Sequence, residues 1–138
     1  MSCNVLYAGR PDAWATYEPL LRAELDKAGV TAELRNDFAP EETDYIVYAP
    51  NGPVQDFTPF TRLKAVLSLW AGVEKITPNQ TLTQPLCRIV DPGLTEGMVE
   101  WVTGHTLRYH LSIDHWITQQ DGSWAPRVPP LARERRVT

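Results

Sequence analysis

The chain has 138 residues, 43% of them hydrophobic and 22% charged, with a net charge of −4. That length suits one domain, which buries roughly 68–70% of its unfolded surface and so needs no disulfide or metal to staple it. The acidic balance gives no reason to expect nucleic acid or an anionic membrane as a partner. No apolar run approaches the ~20 residues of a membrane span. The N-terminus lacks the charged and then long apolar regions of a secretory leader, so a cytoplasmic setting is expected. Cys3 and Cys87 both fall in apolar runs and read as buried free thiols in a reducing compartment.

Asn4–Ala8 (NVLYA) is short, apolar and followed by Gly9, which predicts a buried strand. Asp12 is placed to cap the helix that follows. Its apolar face is Trp14, Tyr17, Leu21, Leu25 and Ala28 at three- and four-residue steps. Glu18 and Arg22 are four apart with the favourable polarity. Gly29 is the expected stop, and Pro19 should delay or bend the helix. Val30–Leu34 reads as a second strand and Tyr45–Ala49 (YIVYA) as a third. Pro50-Asn51-Gly52-Pro53 breaks the chain. A short helix is expected over Phe57–Leu63, a fourth strand over Ala65–Leu69, another short helix from Val73, a polar connection over Pro78–Pro85, and a fifth strand over Leu86–Val90.

The longest element follows. Thr95 is a good N-cap, Glu96 suits the helix start, and Leu94 with Val99 can form a hydrophobic staple. Trp101, Val102, Tyr109, Ile113, Trp116 and Ile117 carry the pattern for some six turns, to Gln120. The remaining DGSWAPRVPP and its flank read as an extended arm. Arg127, Arg133, Arg135 and Arg136 near the end read as a solvated tail or linker edge. The expected organisation is therefore 1–93 for the sheet domain, 94–120 for the long helix and 121–138 for the arm.

Strands alternating with helices, and apolar along their whole length, predict a parallel sheet with helices on both faces. Five of them suit the α/β flavodoxin-like order 2-1-3-4-5, here with a long C-terminal helix and an extended arm. Ligands in such sheets bind at the carboxyl ends of the strands, which here carry Gly9-Arg10, Tyr48-Ala49-Pro50 and Trp70-Ala71-Gly72.

Successive backbone N–H groups at a turn such as Leu69–Glu74 can hold a carboxylate, and Gly72 allows close approach. The same Ala-Gly pair also serves turns for steric reasons alone. Tyr48 is either a pocket wall or a half-buried aromatic with its hydroxyl in water. Arg10 is placed either to meet an anion or to pair on the surface. His105, His110 and His115 are spaced by five, which turns each about 140° from the last; metal pairs on a helix need steps of three or four. They read as surface or interface histidines, and no metal is expected. The sequence has no dinucleotide fingerprint, Walker loop, paired Cys-x-x-Cys or nucleophile elbow, and thus no self-sufficient catalytic set.

The run Leu63-Lys64-Ala65-Val66-Leu67-Ser68-Leu69-Trp70-Ala71-Gly72-Val73-Glu74 resembles the LKA-x-x-x-x-x-AGV-D/E segment of D-2-hydroxyacid dehydrogenases. Pro85–Asp91, then Gly93, Glu96, Met98 and Glu100, and later Ile117-Thr118-Gln119-Gln120 with Trp124 and Pro126, resemble the glyoxylate/hydroxypyruvate reductase branch. The resemblance spans most of the chain. It implies the N-terminal, substrate-side portion of such an enzyme, ending at Arg135-Arg136-Val137-Thr138 where the first strand of a Rossmann NAD(P)-binding domain is expected. It implies that the amides of Ala71 and Gly72 hold the substrate carboxylate, with Trp70 in the same loop. Tyr48 then lines the pocket, and Met98 lies near the nicotinamide of NADH or NADPH. The family's catalytic arginine, glutamate and histidine have no counterpart here, so the chain alone is expected to be inactive and to bind no cofactor tightly.

Two other readings remain open. One is a free-standing flavodoxin-like module that binds or self-associates. The other is a flavin-binding relative, which Gly9-Arg10-Pro11-Asp12 disfavours because it is no Ser/Thr- and Gly-rich phosphate loop. The long helix carries Trp101, Tyr109 and Trp116, with Trp124 beyond it. Such a stripe tends to be covered, so the helix is expected to fold back onto the sheet or to exchange in a homodimer through residues 95–120.

Overall fold

The computed structural model describes residues 2–136 and divides into two compact units, Met1–Val90 and Asp91–Thr138. Of Arg135-Arg136-Val137-Thr138, where a further strand is expected to start, Val137 and Thr138 lie outside the described residues.

The first unit is built on β1 (Cys3–Ala8), β2 (Ala32–Arg35), β3 (Tyr45–Tyr48), β4 (Ala65–Ser68) and β5 (Leu86–Cys87). All pairings are parallel and the order is β2-β1-β3-β4-β5, as the pattern predicted. Ala8 pairs with Tyr48, and Tyr48 with Ser68. That register brings three strands to a common carboxyl edge.

Alternate residues of a strand point to opposite faces, which divides the core in two. On one face Leu6, Ala8, Ile46, Tyr48 and Val66 pack with Phe38, Phe57, Phe60, Leu63 and Ile76 from the connections. On the other, Val5, Tyr7, Leu34 and Val47 pack under Trp14, Leu21 and Leu25 of α1 (Trp14–Lys27). Burial of each large apolar side chain stabilises the fold by roughly 1.5–3 kcal/mol. The second face is covered unevenly: beyond α1, Leu67 is left 38% exposed.

Several local expectations change. The first helix runs through Pro19 without starting late. Asp12 caps nothing, because its carboxylate accepts from the Arg10 guanidinium (Nε to Oδ1, 2.9 Å). Glu18 and Arg22 do pair, at 2.8 Å, and Gly29 closes the helix with φ +67°. The two short helices are turns. Over 57–63, Phe60 N–H donates to Phe57 and Leu63 N–H to Phe60. Pro59 has no N–H to extend a helix, and Phe57 N–H donates to Thr81 Oγ1 instead. After Val73 two overlapping turns form, Ile76 and Thr77 N–H donating to Val73 and Asn79 N–H to Ile76, and Pro78 has no N–H to extend them into a helix. The fifth strand shrinks to a two-residue edge, which leaves Cys87 exposed; Cys3, at the start of β1, is half-buried, and both are free.

At the amino edge Asp44 is 3% exposed. It accepts the Asn4 N–H at 3.0 Å and pairs with Lys64 at 3.1 Å and Arg62 at 3.3 Å. The Asn4 N–H, helped by Lys64 and Arg62, holds this carboxyl below the usual range even though burial pushes it up.

In the second unit, α2 (Pro92–His110) begins earlier than Thr95. Asp91 is its N-cap, accepting the Gly93 N–H at 2.9 Å, with Pro92 at the first helical position, where no N–H is needed. The Thr95 hydroxyl instead donates to the Asp91 carbonyl. The long helix is also interrupted. Ser112 takes φ 56°, and α3 (Ile113–Thr118) follows. Arg108 spans the break to Asp114, Nε to Oδ1 2.9 Å. Neither helix buries a residue. The arm beyond is extended except for one 3-10 turn at Ala132–Glu134. No helix among the described residues is long and apolar enough to cross a membrane.

Candidate functional site

The carboxyl edge of the sheet is closed by three loops. The first is Gly9–Asp12, whose one cation, Arg10, is already paired with Asp12. The second is Pro50–Pro53. Gly52 presses so closely on β1 that a Cβ there would overlap the Ala8 carbonyl, and its N–H donates to the Ala49 carbonyl at 2.9 Å. The sequence marked this stretch only as a breaker.

The third loop leaves β4. Ser68, 5% exposed, accepts the Trp70 N–H at 3.1 Å and donates its hydroxyl to the Trp70 carbonyl at 3.0 Å. Beyond the turn the Val73 carbonyl accepts from Ile76 and Thr77, both at 3.0 Å, and Ile76 is 1% exposed in the core. The loop is thus anchored on both sides. Between the anchors, among the described residues, the N–H groups of Ala71 and Gly72 have no protein acceptor, and neither do those of Val73, Glu74 and Lys75 that follow. Adjacent free donors held in place are an arrangement able to bind an anion. Ser68 was not singled out from sequence. Its signal was a lone hydroxyl within AVLSL, two residues before the turn.

Trp70 is 41% exposed beside the amide pair. Tyr48 is not half-buried. It is 3% exposed, its ring 5.7 Å from that of Phe57, and burial pushes its phenol up. It underlies the edge as part of the core. The structure therefore gathers Tyr48, Trp70, Ala71 and Gly72 at one edge, with Tyr48 and Ser68 paired in register. Met98 lies in the second unit on α2 and is 52% exposed. Among the described residues no group of three metal-ligating side chains gathers. His105 stacks on Trp101 at 4.3 Å and His115 meets Trp116 edge-on.

No family model matches the chain. Among curated proteins it is similar to glyoxylate/hydroxypyruvate reductase A of Yersinia enterocolitica, with 32% identity over 118 residues, 79% of this chain and 36% of that protein. The protein of the same name from Serratia proteamaculans is 32% identical over 131 residues, 82% of this chain and 41% of that one. Among solved structures it superimposes on a D-isomer specific 2-hydroxyacid dehydrogenase from Xanthobacter autotrophicus, in complex with NADPH and MES. That match has a TM-score of 0.73 and 26% identity and covers 99% of this chain and 45% of that one. A probable 2-hydroxyacid dehydrogenase from Rhizobium etli, in complex with NADP, HEPES and L(+)-tartaric acid, shares the fold at a TM-score of 0.64. The resemblance read from the sequence holds: the chain is similar to part of a D-2-hydroxyacid dehydrogenase, and it spans about two fifths of its curated relatives, 36% and 41%.

Proposed function

We propose that this chain is the substrate-side part of an NAD(P)H-dependent 2-ketoacid reductase of the glyoxylate/hydroxypyruvate reductase kind. Its task is to hold the carboxylate of a small 2-keto acid on the N–H groups of Ala71 and Gly72. The observation that carries this reading is the pair of acceptor-free amides, anchored by Ser68 and Ile76, in a chain whose fold is that of 2-hydroxyacid dehydrogenases. Trp70 shields one side of the bound acid. Tyr48, locked beneath it, fixes the height of the edge. Two pre-aimed donors contribute orientation: they restrict a small flexible acid to one pose.

The loop after β1 does not fit a dinucleotide's phosphates. β1 ends in Gly9-Arg10-Pro11-Asp12, where Pro11 supplies no N–H and Arg10 is neutralised by Asp12, so no glycine-rich phosphate cradle forms. The nicotinamide, wherever it is bound in a complete enzyme, supplies the reducing equivalents. This chain's residues supply binding and orientation. Met98 is assigned as a contact to that cofactor by resemblance alone.

The test has two readouts. Titrating glyoxylate into the purified 138-residue chain should shift the amide resonances of Ala71 and Gly72 first. The same chain should not oxidise NADH or NADPH with glyoxylate or hydroxypyruvate. Turnover free of contaminating reductase, or perturbation only at distant amides, would overturn the proposal.

A second reading, a self-associating module, is favoured by α2. Trp101 and Tyr109 are 61% and 72% exposed, and a helix that buries nothing is rarely left bare. We propose a homodimer formed through this helix, which is compatible with the first reading.

A further inference from the structure

Gly72 is crowded from one side by a charge. A Cβ built on it would lie 2.7 Å from Oε2 of Glu74, so this carboxylate folds back along the loop that bears the free amides. Among the described residues no cation is within ion-pair distance of Glu74. The neighbouring Lys75 makes no such pair, and Arg10, the one cation of the other two strand-end loops, is committed to Asp12. The amide pair attracts an anion, while an unneutralised negative group stands beside it.

We propose that Glu74 is a specificity-determining residue that selects singly charged 2-keto acids over doubly charged ones. The inference rests on the carboxylate reading of Ala71 and Gly72. The amide dipoles offset one negative charge at close range. A second charge on the ligand is repelled by Glu74. Repulsion across a few ångströms at a solvent-exposed site amounts to about threefold in affinity per ligand charge, and so about tenfold for two. Small monoanions therefore pass, and acids with a second carboxylate or a phosphate are held off.

Glyoxylate and oxalate are the probes, since they are close in size and differ by one charge. Each is titrated into the chain and into Glu74→Gln, with the Ala71 and Gly72 amide resonances as readout. The expected result is that Glu74→Gln tightens oxalate about tenfold and glyoxylate only about threefold, closing the gap between them. Glu74→Ala should do the same, which separates charge from any hydrogen bond the Gln makes. Equal shifts for both ligands, or weaker oxalate binding in the variants, overturn the role of Glu74 while leaving the carboxylate site intact. No response of these amides to either ligand in any variant overturns both.

Discussion

Ser68 and Trp70 are joined twice, the serine hydroxyl donating to the tryptophan carbonyl and accepting its N–H, at 3.0 and 3.1 Å. The double link uses up the one N–H of the loop that precedes the free pair and fixes the direction of the next two. Ser68→Ala breaks both bonds and leaves the Trp70 groups to water. The expected stability loss is about 1–2 kcal/mol. Glyoxylate binding should weaken by more than that loss explains, because the amides are no longer aimed. Urea melts and amide titration measure the two effects separately.

The two glycines at the edge should respond differently to the same change. Gly52→Ala drives a Cβ into the Ala8 carbonyl, a backbone atom of the inner strand β1, and should cost about 1–3 kcal/mol. Gly72→Ala meets the far end of a flexible Glu74 side chain, which can swing aside. It should change the melting midpoint little. Paired thermal melts decide the matter, and equal losses at both sites would contradict the geometry.

Acid should act through Asp44. Its pKa is depressed in the fold, so it contributes stability that is complete above the unfolded carboxylate pKa. That stability is lost as pH falls through the folded value. Asp44→Asn should cost about 1.5–3 kcal/mol at neutral pH, toward the lower end because Arg62 and Lys64 are both 57% exposed. The variant should also lose less stability than the native chain as pH falls below the ordinary carboxylate range. Denaturant midpoints across that range give the comparison.

Self-association should depend on the aromatic face of α2. Trp101→Arg should convert the proposed dimer to monomer in sedimentation velocity and leave the far-ultraviolet helix signal largely intact. An unchanged sedimentation coefficient would remove Trp101 from any interface.

The sheet was legible in the sequence because buried parallel strands are continuous apolar runs, and Asn4–Ala8, Tyr45–Ala49 and Ala65–Leu69 are of that kind. The connections were less so. Phe57, Phe60 and Leu63 recur every three residues, as a helix face does, yet two successive turns produce the same spacing. Thr95 looked like a cap because its chemistry is right, but Asp91 followed by Pro92 satisfies the same end sooner. The interruption at Ser112 has no composition signal; it is held by a pair, Arg108 and Asp114, that is not adjacent in sequence. The strand-end loop could be located by topology alone. The anchoring by Ser68 and the folding-back of Glu74 depend on side-chain directions that no spacing rule states.

The two edges of the sheet are secured by different forces. At the amino edge a carboxylate is balanced by two half-exposed cations, an arrangement that dissolved ions weaken. At the carboxyl edge the ties are a neutral hydroxyl and backbone amides, which ions scarcely touch. Ionic strength is therefore a handle on the fold that leaves the loop geometry alone, and the shape of the ligand edge should persist in brine that has already loosened the opposite end.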